Sequence, residues 1–179
     1  MNDHAILARA VSAVEPPAGN IEMVADAAER TALAAAYDLV AVKGLSASVT
    51  VTGGARGAIT VEGHVVADIV QTCVVSLVPV DQHIDETFSV DFVRRAAPPP
   101  RPGAEIVVDP EAPDPPEVLD GPTVDVGALV EEYFALAIDP YPHAPGAELP
   151  PELAQDPDDS EDSPFAALAD LVKPPKRKT

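Results

Sequence analysis

Within each run between residue 45 and residue 92 most apolar side chains keep to one side of a two-residue repeat, and that parity limits the chain to a sheet with one buried face. Leu45, Ala47, Val49 and Val51 alternate with Ser46, Ser48, Thr50 and Thr52, which is the period of a pleated strand and not of a helix. Gly53-Gly54, with Gly57, has the composition of a hairpin turn. Ile59, Val61, Val65, Ala67, Ile69, Cys73, Val75 and Leu77 then share one parity, against Thr60, Glu62, His64, Asp68, Thr72 and Ser76 on the other. Gly63 and Gln71 are the exceptions. Strands usually run about 5–6 residues, so this stretch predicts a long bent strand or two strands joined by a bulge. Ile84, Phe88, Val90 and Phe92 alternate with Asp85, Thr87, Ser89 and Asp91 in a further strand. Successive one-sided strands joined by short turns argue for an antiparallel sheet whose apolar face needs a cover.

Two helices supply that cover. Asp26 followed by Glu29 has the spacing of a capping box, and AERTALAAAYDL after it places Leu33, Tyr37 and Val40 at helical spacing. Asp125 is positioned to cap VGALVEEYFALAI, with Val126, Leu129, Val130 and Tyr133 as its stripe and Pro140 at its end. The expected fold is therefore α+β: a curved, mainly antiparallel sheet of about five strands packed by two helices. Residues 1–144 are expected to form a single domain that includes a Pro-rich acidic linker at 96–122. Residues 145–179 read as an acidic, then basic tail, with a short helix at 164–171 opened by Ser163-Pro164.

Charge narrows the function. Thirty Asp+Glu against eleven Lys+Arg give a net charge of −19 over 179 residues, a sign that repels phosphate backbones. Eighteen acidic residues and no Lys or Arg lie between Pro102 and Val172. The candidate nucleic-acid contacts are thus Arg94, Arg95 and Arg101 before that stretch, and Lys176, Arg177 and Lys178 after it. With 4% aromatic residues and no Trp, the core must be thin and built from Ala and Val. The start, MNDHAILARAVSAV, lacks a basic n-region. The longest largely apolar run, Ile69 to Val80, is about half of the roughly 20 residues a membrane helix needs. The cytosol is the expected compartment, with no membrane association.

Catalytic patterns are not found. Gly53-Gly54-Ala55-Arg56-Gly57 lacks the Lys-Ser/Thr of a phosphate loop, and Gly44-Leu45-Ser46-Ala47-Ser48 lacks the second Gly of a nucleophile elbow. Cys73 shares the apolar parity and reads as a small buried hydrophobe. His4, His64, His83 and His143 are dispersed without metal-ligand spacing and read as solvated. Glu131 and Glu132 are adjacent on a helix and so point about 100° apart; one of them is expected to pair with a basic group. A single thiol cannot close a four-cysteine site. Neither enzyme activity, nor a cofactor, nor a bound metal is expected.

Several segments, taken in order, resemble the YceD-like family of large ribosomal RNA subunit accumulation proteins. They are AERTALAAAYDL, VEGHVVADIVQTCVVSLVPV, IDETFSVDF, VDVGALVEEYFALAIDPYPHAPGA and SPFAALADL. The resemblance implies a non-catalytic factor that supports the accumulation of large-subunit ribosomal RNA, by processing or by assembly. It also implies a zinc-type Cys-x-x-Cys at Cys73 with further cysteines after the second helix. Here Ser76 stands at the second thiol position, and Tyr141-Pro142-His143-Ala144-Pro145 supplies no later pair. The fold is accordingly expected to be held by packing alone. The expected partners are large-subunit ribosomal RNA, basic ribosomal proteins, or both, engaged by a monomer. The alternative is an acidic adaptor that binds a basic ribosomal protein without touching RNA.

Overall fold

The computed structural model describes residues 5–94 and 115–148. Residues up to Ala144 belong to one unit, and Pro145–Thr179 to a second, of which only residues 145–148 are described. In chain order the first unit contains β1 (Ala10–Ser12), β2 (Asn20–Val24), α1 (Ala27–Ala36), β3 (Ala41–Gly53) and β4 (Ile59–Thr72). They are followed by β5 (Pro79–Arg94), β6 (Glu117–Leu119), β7 (Thr123–Asp125) and α2 (Val126–Ala137). One sheet runs β2-β3-β4-β5-β6, antiparallel as far as β5 and parallel at β5–β6. A separate two-stranded ribbon pairs β1 with β7.

The register explains why the parity is so long. Leu45 faces Ala67, Ala47 faces Val65 and Val51 faces Val61 across β3–β4, while Ile84 faces Ala67 and Phe92 faces Ile59 across β4–β5. The apolar sets of three strands therefore fall on one face, and all of these residues but none of their alternates at 46, 48, 50 or 52 are buried. A bulge between Val42 and Gly44 reverses the phase of β3, so Val42, on the opposite parity, also turns into the core. Helix α2 lies over β4 and β5, and α1 packs against β3. Phe134 of α2 is fully buried and meets Tyr37 edge-to-face at 5.8 Å, though the expected stripe did not include it.

Both caps form as expected. Asp26 accepts from the Glu29 N–H while Glu29 accepts from the Asp26 N–H, closing the capping box, and Asp125 accepts from the Ala128 N–H. Two expectations need correction. Helix α1 stops at Ala36, because Asp38 adopts φ +52°, and Val40 is exposed beyond it. Strand β4 is one 14-residue strand, the first of the two expected forms, but its parity ends at Cys73, since Leu77 sits exposed in the following turn at φ +59°. Within the expected linker, Glu117–Leu119 adds a parallel edge strand beside Phe92–Arg94. An edge strand pairs on one side only, so the flanking Pro115, Pro116 and Pro122 are tolerated. The rest of that linker and the 164–171 helix lie outside the described residues.

Residues 5–12, to which sequence patterning assigned no structure, form a strap over α2. Leu7 is buried, its N–H donates to Glu131 Oε2 at 3.1 Å, and the Arg9 N–H donates to Asp125 Oδ1 at 2.7 Å. The Val126 N–H returns a bond to the Arg9 carbonyl at 3.1 Å. Gly127 makes this contact possible: a Cβ there would sit 1.6 Å from the Leu7 carbonyl oxygen.

Candidate interaction surface

The face of the sheet turned away from the helices is polar and acidic. Strand alternation puts Glu22, Glu62, Asp68, Asp81, Asp85 and Asp91 on it. Its Lys and His side chains are engaged: Lys43 Nζ lies 2.6 Å from Asp81, His64 Nε2 lies 2.7 Å from Asp85, and His83 Nδ1 lies 2.8 Å from Asp68. His83 is thus exposed, as expected, and His64 half-buried, and both are paired across strands. Thr60 donates to Asp91 at 2.6 Å. A shallow trough on this face, about 510 Å³, runs past Ser48, Thr50, Glu62, His64, Thr87 and Ser89.

Of the expected nucleic-acid contacts, the structure places one. Arg94 ends β5 and is exposed, with its side chain against Gly57. Arg95, Arg101, Lys176, Arg177 and Lys178 lie outside the described residues. Arg9, for its part, is tied to Glu29 at 2.6 Å; the capping bond from the Asp26 N–H, then the Arg9 guanidinium, hold the Glu29 carboxyl below its ordinary value.

Among the described residues, Glu131 has no basic partner. Its second oxygen accepts from the Tyr37 hydroxyl at 3.2 Å. Burial first, and the Glu131 charge second, push the Tyr37 phenol up to about 12. The i, i+4 spacing of Leu33 and Tyr37 marked the helix face, but nothing local marked a partner 94 residues away.

Cys73 is buried, as its parity implied. Its Sγ accepts from the Ser76 N–H at 3.3 Å and from the Ala144 N–H at 3.2 Å. The Ser76 hydroxyl, then these two N–H groups, hold the thiol down to about 6. Beside it the Val74 N–H donates to the Pro142 carbonyl at 2.9 Å, Gln71 donates to the Asp139 carbonyl at 2.8 Å, and Gln82 donates to the Ala137 carbonyl at 2.8 Å. The segment after α2 is therefore sewn to the end of the sheet by hydrogen bonds, and not by packing alone. The donor set does not fit the zinc site that the family resemblance implies. Cys73 is the single thiol, Ser76 turns its N–H toward it, and exposed His143 bonds the Tyr141 carbonyl. Among the described residues no three His, Cys, Asp or Glu side chains are grouped to hold an ion.

A lowered thiol value has a defined consequence for stability. The contribution of Cys73 should be complete above its ordinary value of 9.0 and should be lost as pH falls through about 6. Denaturation midpoints measured from pH 5 to 9 should therefore rise more steeply for the native chain than for Cys73→Ala; parallel curves would contradict this.

A two-layer α+β body, with a helical pair on one sheet face and an open polar face on the other, defines a protein that presents a broad sheet surface. The sequence model of the family described as large ribosomal RNA subunit accumulation protein YceD matches residues 61–172. That is more than half of the chain, and the protein belongs to this family. No match is found among curated proteins or among solved structures. No helix among the described residues is long and apolar enough to cross a membrane.

Proposed function

We propose that the protein is a non-catalytic, monomeric, cytoplasmic factor that supports accumulation of large-subunit ribosomal RNA. The family match over residues 61–172 carries this reading. Deleting the protein is expected to lower mature large-subunit ribosomal RNA several-fold relative to small-subunit RNA, measured by quantitative hybridisation. An unchanged ratio would overturn it.

The open sheet face favours one route to that outcome. Six carboxylates stand on it, and its Lys43, His64 and His83 already face Asp partners. A surface of this sign suits a basic ribosomal protein better than a phosphate backbone. Direct RNA contact would instead rest on Arg94 and Arg95. Replacing both with Glu separates the routes: an adaptor that binds protein keeps full complementation of the deletion, whereas an RNA-contacting factor loses it. The salt slope of any RNA binding should also be small, at a few released ions.

A further inference from the structure

We infer that the end of the sheet where β4 turns into β5 carries a docking site for a protein segment that presents a lysine or arginine side chain between apolar residues. This inference rests on the basic-partner reading above and gives it a location.

A cavity of about 450 Å³ opens there, between the residues that follow α1, the end of β4 and the segment after α2. Gln71 lines it and is only 7% exposed. Its amide nitrogen is used on the Asp139 carbonyl, but its Oε1 is buried with no hydrogen-bond partner among the described residues. An orphaned buried acceptor is destabilising until a donor reaches it, so the cavity favours an N–H. The charges at its wall are Asp38 and Asp139, with no Lys, Arg or His among the lining residues. Carboxylates and a carbonyl-type oxygen together select a cationic donor over an anionic one.

The rim adds an apolar requirement. Val40 and Val74 line the cavity and are 54% and 48% exposed. The turn after β4 and the segment after α2 also present Leu77 and Tyr141, 75% and 70% exposed. Large apolar side chains displayed together in this way mark contact surfaces. The backbone points the same way. Asp38 and Leu77, the non-glycine residues with positive φ among those described, both belong to this end. A bulky residue such as Leu pays for that conformation, and such strain collects at sites of function.

The test uses the full-length chain in 150 mM salt and three synthetic twelve-residue peptides: alternating Lys-Leu, alternating Lys-Ser and alternating Glu-Leu. Binding is followed by backbone and side-chain amide NMR shifts. The Lys-Leu peptide should bind about tenfold more tightly than the Lys-Ser peptide, because only it covers the apolar rim. The Glu-Leu peptide should not bind. Shifts should centre on Val40, the Gln71 side-chain amide, Val74, Leu77 and Tyr141. Asp38→Asn with Asp139→Asn should weaken Lys-Leu binding at least fivefold. Asn at position 139 retains the oxygen that accepts the Tyr141 N–H at 2.9 Å, and an unchanged melting temperature would show that the fold is kept. Shifts that map instead to Glu62, Asp85 and Asp91 would overturn this site while leaving the basic-partner reading intact. Failure of both lysine peptides to bind anywhere would overturn both. Displacement of the peptide by a large-subunit RNA fragment, with equal shifts from the fragment alone, would reassign the site to nucleic acid.

Discussion

Gly127→Ala should cost about 3 kcal/mol, although alanine is the better helix former by about 1 kcal/mol. The intrinsic preference loses because the added Cβ would stand 1.6 Å from the Leu7 carbonyl oxygen, 2.6 Å from its carbon and 2.8 Å from the Arg9 nitrogen. These are backbone atoms, which have no rotamer to escape into. The strap must leave, and with it go the burial of Leu7, the Leu7–Glu131 and Arg9–Asp125 bonds, and the pairing of Ala10–Ser12 with Thr123–Asp125. Hydrogen exchange should lose protection at Arg9 through Ala13 and at Val124 through Val126. The amides of β3 and β4 should stay protected, and uniform loss across the sheet would contradict the strap as a separable unit.

Gly63→Val should be of similar size, at about 3 kcal/mol. Gly63 lies directly across from Phe88, and a Cβ there would meet the Phe88 ring at 2.2 Å. The ring has no room on its other side, because it stacks on Tyr133 with centroids 4.4 Å apart and planes 8° from parallel. Valine at 63 would therefore drive Phe88 out of its rotamer and break the stack, which is itself worth about 0.5–1.5 kcal/mol. Chemical denaturation of the two single variants and of Gly63→Val with Phe88→Ala gives the decisive comparison. The double variant should recover about 2 kcal/mol relative to the sum of the single ones. Strict additivity would mean that the ring and the glycine do not share the site.

Both glycine effects show what patterning can reveal. The parity from Leu45 to Ile69 was legible because a sheet with one buried face leaves a period of two in every strand. Gly63 and Gln71 broke that parity for reasons that geometry supplies: one leaves room for Phe88, the other turns a polar chain inward to reach Asp139. Asp26 with Glu29, and Asp125, announced both helix starts, since a cap acts within three residues. Non-local pairing left no such trace. Strand β1 has three residues and a partner more than 110 positions on, and β6 is a three-residue edge within a Pro-rich stretch. Val40 was assigned to the helix by spacing, whereas Asp38 could have flagged the stop, because Asp tolerates the left-handed region better than most residues. Of the candidate surface, the acid excess was plain in the composition, but its gathering on one sheet face depended on register.

The β1–β7 pairing also sets a timetable for folding. Strands β2 through β5 pair as neighbours in the sequence, so their loops close early and cheaply as the chain emerges. The strap has no such option: its docking surface on Asp125, Val126 and Gly127 does not exist until more than 110 further residues have been added. During synthesis the apolar side chain of Leu7 thus leaves the ribosome more than 110 residues ahead of the surface that covers it.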